Sequence, residues 1–254
     1  MTPSPSSRSF GAIVFDALSL GAFATVFVMW ATAVVGPATS QPWLSLSAML
    51  LASLCADLGS GLVHWGCDTF GSETWPIVGR TLIGPFREHH LAPKAITQHD
   101  FLETNGCSAF AVLPFFVAAW ICAGMEGPVA LFVSVLLGWM SLLTLATNQI
   151  HKWAHHDAPP WWVRSLQRCG LLLAPDVHAH HHRAPFDRYY CITHGWLNPL
   201  LTRLRFFRGL EHVVTRVTGA LPRGEDLQNL ARGRRSTGEW HEAAVSSTHH
   251  VAEP

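Results

Sequence analysis

Apolar residues are concentrated in four long stretches of the chain, at about 10–35, 43–65, 107–124 and 128–150. A helix needs about 20 apolar residues to cross the hydrocarbon core of a bilayer. Each stretch is apolar around most of its circumference, whereas a helix on the surface of a soluble protein keeps a polar face. The pattern therefore predicts an all-α integral membrane protein with four transmembrane helices.

The connections between these stretches differ in charge. Basic residues are absent from the short connections 36–42 and 125–127, whereas the middle loop (66–106) and the region after the fourth stretch contain several. Loops that carry Lys and Arg are retained in the cytoplasm. We therefore expect both termini and the middle loop to lie on the cytoplasmic side of the membrane.

The composition changes at both ends of the chain. Residues 1–9 are mostly polar, and residues 221–254 combine arginines with Ser, Thr, Gly and Ala and have few apolar positions. Segments of that kind bury too little apolar surface to offset the entropy of ordering them. We therefore predict a flexible N-terminus, a membrane domain over 10–220 and a disordered C-terminal tail.

The bulk composition excludes some classes of protein. The 17 basic and 17 acidic residues give a formal net charge of zero, which argues against a nucleic-acid partner. Charged residues make up 13% of the chain, about half their usual share in soluble domains. The 6 cysteines include no C-x-x-C pair, so we predict neither a disulfide framework nor a thiolate metal site.

The 16 histidines are unevenly distributed, and none precedes residue 64. From His64 to His182, every histidine lies at or beyond the expected cytoplasmic end of a membrane helix. His151 and His155 are four residues apart and share one helix face. The cluster exceeds the three or four protein ligands of a single zinc ion, so two metal ions are the simpler interpretation. Imidazole alone does not select the metal. We expect a cytoplasmic, histidine-rich helical cap that binds metal.

Four ordered runs carry an unusual combination of residues. They are GLVHWGCDTFGS (61–72), PFREHHLAPKAITQHDFLETNG (85–106), TNQIHKWAHH (147–156), and HHHRAP followed by YYCITHGWLNPL (within 180–200). Together these runs resemble the plasmanylethanolamine desaturase family, also called the Kua or lipid desaturase family. The resemblance covers roughly residues 50–225.

The resemblance implies which residues bind metal. The implied ligands, which would also be the catalytic residues, are His64, His89, His90, His151, His155, His178, His181 and His182. Asp68 and His99 belong to the same motifs, as further ligands or as neighbours that support a ligand. Around His178 the chain departs from the family pattern, because Val177 precedes it and His180 is extra. Which of the histidines at 178, 180, 181 and 182 bind metal therefore stays open.

The resemblance also implies a reaction. Two iron ions and O2 would remove two hydrogens beside the ether oxygen of 1-O-alkyl-2-acyl-glycerophosphoethanolamine, giving the vinyl ether of a plasmalogen. The run at 97–106 resembles this ether-lipid branch more closely than the plant branch that desaturates acyl chains. Since the chain has no G-x-G-x-x-G fingerprint, we expect a separate electron donor of the cytochrome or ferredoxin type. Arg87 and Lys94 are candidates for binding the lipid phosphate.

Three other functions remain open. An acyl-lipid desaturase or a hydroxylase of the same di-iron class would share the histidine pattern. A zinc-dependent lipid hydrolase would need neither iron nor O2. A metal transporter would place polar ligands at mid-depth in the membrane, whereas these histidines lie at one end of the helices. Asp57 does lie at mid-depth, where a charge is costly, so it is either a functional group or part of a helix–helix hydrogen bond.

Overall fold

The computed structural model describes residues 8–223, which form helices and connecting loops and include no strand. The α-helices are α1 (Phe10–Ser40), α2 (Pro42–Thr69), α3 (Gly84–Leu91), α4 (Phe101–Ala123), α5 (Pro128–His155), α6 (Trp161–Arg168), α7 (Pro175–His178), α8 (Asn198–Arg203) and α9 (Phe206–Thr218). A π-helix (Gly79–Ile83) precedes α3, and a 3-10 helix (Ala95–Gln98) follows it. The predicted flexible N-terminus and disordered tail lie almost entirely outside the described residues.

Four of the helices are long and apolar enough to cross a membrane: α1, α2, α4 and α5. The predicted all-α membrane architecture is therefore confirmed. The helices extend beyond the apolar stretches, because backbone hydrogen bonding continues into polar sequence at their ends. Asp100 caps α4 by accepting a hydrogen bond from the backbone N–H of Glu103 at 2.8 Å. At the other end of the bundle, the expected turn at 36–42 shrinks to Gln41 alone, and α2 starts at Pro42.

The membrane helices lie side by side in the order α1, α4, α5, α2. Phe23 stacks on Phe116 at a centroid distance of 4.6 Å, which joins α1 to α4. Trp30 donates a hydrogen bond from Nε1 to Ser134 Oγ at 3.1 Å, which ties α1 to α5. Its ring lies so close to Gly138 that any Cβ there would clash. Small residues and paired polar groups of this kind are the usual means of packing helices in lipid.

The loops between α2 and α4 and residues 156–223 fold over one end of the bundle. Two apolar clusters fasten this cap to the membrane helices. In the first, Trp65 of α2 packs with the buried residues Tyr190, Cys191, Leu201 and Phe207. In the second, the end of α5 packs against Leu173 and Ile192. The predicted helical cap is present, and the ends of α2 and α5 project their polar side chains into it.

Candidate metal centre

Nine side chains converge where the cap meets the ends of α2 and α5. They form two groups, and within each group one potential ligand atom per residue lies within 4.8 Å of all the others. Group A consists of His64, Asp68, His90 and His181, and group B consists of His89, His151, His155, His178 and His182. All eight histidines that the sequence singles out therefore meet at one place, together with Asp68.

Helical spacing delivers the first pairs of side chains. His64 and Asp68 stand one turn apart on α2 and enter group A, while His151 and His155 stand one turn apart on α5 and enter group B. Residues four apart share a helix face, so each pair needs only a regular helix. α2 and α5 are neighbours in the bundle, and the two pairs consequently lie beside each other.

Adjacent histidines on α3 are divided between the two groups. His89 enters group B and His90 enters group A. Neighbouring residues on a helix point about 100° apart, so a regular α3 directs the two rings into different groups. The last three histidines divide in the same way, with His181 in group A and His178 and His182 in group B. The rings of His178 and His181 are 5.8 Å apart, so the groups adjoin.

Backbone carbonyls orient two rings of group A. The Nδ1 atom of His64 lies 3.2 Å from Tyr190 O, and the Nδ1 atom of His181 lies 2.9 Å from Arg188 O. A carbonyl only accepts hydrogen bonds, so each Nδ1 carries the proton and donates it. Each Nε2 is then left with a lone pair directed toward Asp68, at 3.5 and 3.4 Å from Oδ2. This arrangement is typical of histidines that bind metal.

The distances between ring nitrogens in group B show whether these residues fit a metal ion. His178 Nε2 lies 2.8 Å from His151 Nε2 and 3.0 Å from His182 Nε2, which lies 3.1 Å from His89 Nε2. A ring nitrogen has one proton or one lone pair in its plane, so it cannot satisfy two such neighbours by hydrogen bonding. Two ligands about 2.1 Å from an ion and at right angles are about 3.0 Å apart. The spacing therefore fits a shared cation.

Several buried polar atoms of the centre have no hydrogen-bond partner within the described residues. They are His64 Nε2, Asp68 Oδ1, His155 Nε2 and the Nδ1 atoms of His89, His90 and His178. An unsatisfied buried polar group costs about 1–3 kcal/mol, so a protein rarely gathers six of them without a further partner. Metal ions at the two groups would supply a partner for the atoms that face inward.

Three of the cap histidines, His89, His178 and His182, are held in the neutral form that binds metal. Burial, together with the nearby His155, lowers the pKa of His89 to about 2. Burial and the neighbouring His151 lower the pKa of His178 well below its usual value. Burial and His181 act on the pKa of His182 in the same direction. These three rings therefore offer lone pairs at neutral pH, and group A adds the single carboxylate of Asp68.

Two nearby histidines lie outside both groups. His99 is about 42% exposed, and its Nε2 lies 3.9 Å from Glu103 Oε1. The His180 ring packs against Tyr189, with centroids 4.8 Å apart. Of the four histidines between 178 and 182, the structure therefore brings together His178, His181 and His182. The assignment of individual residues as ligands remains a prediction.

The two candidates for binding phosphate make bonds within the protein. Arg87 is buried and donates hydrogen bonds to the carbonyls that end α2, at Cys67, Phe70 and Gly71, over distances of 3.1, 2.9 and 3.0 Å. A cation at a helix C-terminus is favourable, so this contact stabilises the end of α2 beside Asp68. Lys94 pairs with Asp157 at 2.7 Å and thereby joins the loops that follow α3 and α5.

Sequence reasoning missed the groups that orient the ligands. The carbonyls of Tyr190 and Arg188 are backbone atoms, which every residue has, so no residue pattern marks them. For Asp57 the sequence predicts a functional group or a helix–helix hydrogen bond, and the structure shows a third kind of partner. Its carboxylate accepts hydrogen bonds from backbone N–H groups of the loop before α8. The N–H of His194 is 137 residues further along the chain and is a backbone atom, so no local sequence pattern reveals this link.

Residues 53–225 match the family model of the lipid desaturase domain. The match spans well over half of the chain, so the protein belongs to the lipid desaturase family, as the sequence motifs predict. With its four membrane helices, it is a membrane lipid desaturase, and hence an oxidoreductase.

Named relatives make the class more specific. The chain is 48% identical to plasmanylethanolamine desaturase of Myxococcus xanthus over 204 residues, which are 80% of this chain and 70% of that protein. It is 42% identical to plasmanylethanolamine desaturase 1 of Mus musculus over 193 residues, or 73% and 70% of the two chains. Fatty acid desaturase 4, chloroplastic, of Arabidopsis thaliana is 36% identical over 203 residues, or 78% and 61%. No solved structure matches the chain. The enzyme is thus plasmanylethanolamine desaturase-like.

Proposed function

We propose that this enzyme forms the vinyl ether bond of plasmalogens in 1-O-alkyl-2-acyl-glycerophosphoethanolamine, with O2 as co-substrate and two iron ions as cofactors. The observation that carries the proposal is the pair of adjoining groups of eight histidines and one carboxylate. The choice of substrate is supported by identities of 48% and 42% to two plasmanylethanolamine desaturases, against 36% to the plant fatty acid desaturase.

The proposed reaction balances as a four-electron reduction of O2. The carbon bonded to the ether oxygen and the next carbon each lose one hydrogen, and a double bond forms between them. O2 takes up these two hydrogens together with two electrons and two protons, and two water molecules leave. The two external electrons would come from a separate donor protein of the cytochrome or ferredoxin type, since this sequence has no G-x-G-x-x-G dinucleotide fingerprint.

In this proposal groups A and B each hold one iron, through the nine residues already named. Iron bound there would supply the oxidising power needed to remove hydrogen from the alkyl chain. The protein's own residues prepare the site for it. Backbone carbonyls orient His64 and His181, and burial lowers the pKa of His89, His178 and His182. Aromatic rings border the cluster, with Phe86 at 5.0 Å from His64 and Phe186 at 5.1 Å from His90. Such apolar walls limit the access of water.

The cap and both termini are proposed to face the cytoplasm. Support comes from the basic residues of 66–106 and of the region after α5, together with their absence from the connections at the opposite end of the bundle. A cap in the cytoplasm would lie within reach of a soluble or membrane-anchored electron donor. A substrate phospholipid could then place its headgroup at that face while its alkyl chain stays in the bilayer.

The test is lipid mass spectrometry of a host that lacks vinyl ethers, expresses the protein and receives an alkylglycerol precursor. We expect acid-labile vinyl ether phospholipid with the wild-type chain and none with His155→Ala. His180→Ala is the matched control, because this histidine neighbours the ligands but lies outside both groups; it should retain activity. Full activity of His155→Ala would contradict the metal assignment.

A second candidate function is the desaturation of acyl chains. It is favoured by the 36% identity to the plant fatty acid desaturase. The same experiment separates the two functions, because an acyl product gains a double bond that survives mild acid, whereas a vinyl ether is cleaved. An acyl product alone would replace the proposed substrate and leave the proposed metal centre in place.

A further inference from the structure

One face of α2 is polar over three turns and is covered by a loop of the cap. Asp57, Gly61, His64 and Asp68 follow one another at intervals of four, three and four residues, which places them on one face. The chain from 190 to 198 lies along this face in the opposite direction. In chain order, Tyr190 of the loop contacts His64 of α2, Cys191 contacts Gly61, and Ile192 contacts Ser60. The turn that follows contacts Asp57.

Asp57 fastens the far end of this loop. Its side chain is fully buried, and Oδ1 accepts hydrogen bonds from the backbone N–H groups of His194 and Gly195, both at 2.8 Å. Oδ2 accepts a third hydrogen bond from Leu197 N at 3.1 Å. A carboxylate at mid-depth in a membrane helix is costly, and charge-assisted hydrogen bonds offset that cost. The turn at 194–197 therefore requires an acceptor with two oxygens at this position.

In the middle of the covered face, the cap loop 190–198 is in tight contact with α2. A Cβ on Gly61 would lie 2.7 Å from Cys191 Sγ and 3.3 Å from Cys191 N. The side chain of Asn198 closes the loop on itself, since Oδ1 accepts from Cys191 N at 2.9 Å and Nδ2 donates to Cys191 O at 2.8 Å. The loop thus behaves as one unit, held by Asp57 at one end and presenting the Tyr190 carbonyl at the other.

We propose that Asp57 is a positioning residue of the metal centre. By anchoring residues 190–198 it places the Tyr190 carbonyl, which in turn keeps the Nδ1 proton of His64 in place and its Nε2 directed into group A. Asp57 contacts neither group itself. The inference rests on the proposed metal centre, and it predicts that changes at Asp57 weaken metal binding in group A before they weaken it in group B.

The experiment measures metal binding by the purified full-length protein in detergent. Asp57→Asn keeps an oxygen for His194 and Gly195 but turns an amide N–H toward the N–H of Leu197. Ser53→Ala is the matched control: Ser53 is one turn earlier on α2 and also buried, but its Oγ accepts a hydrogen bond from Trp139 Nε1 on α5 at 3.1 Å. Each variant is loaded with Fe2+ or Co2+, and metal content, the Co2+ absorption spectrum and thermal unfolding of the metal-free protein are recorded.

We expect two ions per chain in the wild type and in Ser53→Ala. Asp57→Asn should bind one ion with unchanged affinity and the other about 10–100-fold more weakly, which is the usual loss when a group that supports a ligand is removed. The Co2+ spectrum should change accordingly. A role in folding alone would instead lower the unfolding temperature and leave both affinities and the spectrum of the folded fraction unchanged.

Gly61→Ala provides an independent test, because it pushes the loop off the helix while leaving the Asp57 side chain intact. It should weaken the same ion and change the same spectral bands. Two tightly bound ions and a wild-type spectrum in Asp57→Asn, or in Gly61→Ala if the first variant does not fold, would overturn this inference alone. A wild-type protein without specific metal binding would overturn the proposed centre as well.

Discussion

Groups A and B differ in how their ligands are held. Group A contains a carboxylate, and two of its three histidines are oriented by backbone carbonyls, while the Nδ1 atom of the third, His90, has no partner among the described residues. Group B contains only imidazoles, and the buried Nδ1 atoms of His89 and His178 have no partner within the described part of the chain. Group A is therefore arranged by the protein, whereas the rings of group B depend more on the ion that they would share. The two ions should consequently bind with different affinities.

Asp68→Asn is expected to have the largest effect. Asp68 Oδ2 lies 3.0 Å from His90 Nε2 and within 3.5 Å of the Nε2 atoms of His64 and His181, so it joins all three histidines of group A. An amide removes the negative charge and one acceptor. Desaturase activity should fall at least about 100-fold, the upper end of the range for loss of a group that only supports a metal ligand.

The measurement is vinyl ether formation alongside iron content. Loss of one ion with the second retained would support the division into two groups. Unchanged iron content with unchanged activity would contradict the division into two metal sites, because group A would then not bind metal. Glu126→Gln is a suitable control, since Glu126 is an exposed carboxylate in the connection between α4 and α5 and lies outside both groups.

Removal of metal by a chelator should occur in two steps. Because the protein arranges group A before an ion arrives, and because only group A carries a negative ligand, we expect group B to release its ion first. The affinities should differ by about 10-fold or more. Iron content measured during a chelator titration shows the steps, and Asp68→Asn, which should retain only the ion of group B, should show one step. A single step in the wild type would show that the two groups bind metal as one unit.

The features that could be predicted from the sequence are those that depend on the type and spacing of side chains. Apolar length predicted the four membrane helices, and the chemistry of imidazole predicted a metal centre at their ends. His89 and His90 show where this approach stopped, because their adjacency does not reveal that each enters a different group. His99 shared a motif with them but lies elsewhere. The partners of Asp57 and His64 are backbone atoms whose positions depend on the path of residues 190–198, and that path is a property of the folded chain.

Arg87→Met tests whether the end of α2 supports group A from outside. This change keeps the apolar part of the side chain but leaves the carbonyls of Cys67, Phe70 and Gly71 without their donor. The free energy of unfolding should fall by about 2–3 kcal/mol, the range for a lost charged hydrogen bond. Thermal unfolding of the metal-loaded protein measures this. The ion of group A should weaken more than that of group B; equal weakening would indicate a general loss of stability.

His99→Ala should have the smallest effect and thereby define the limit of the metal centre. The His99 side chain is about 42% exposed, and its one polar contact within residues 8–223 is a long one with Glu103, at 3.9 Å. Exposed ion pairs contribute about 0–1 kcal/mol, so stability should change little, and both ions and activity should remain within about twofold of the wild type. Lys152 donates to the backbone carbonyl of His99, so that contact survives the substitution. Loss of an ion in His99→Ala would require the loop after α3 to close over group A or group B, and the residues of that group would have to be redefined.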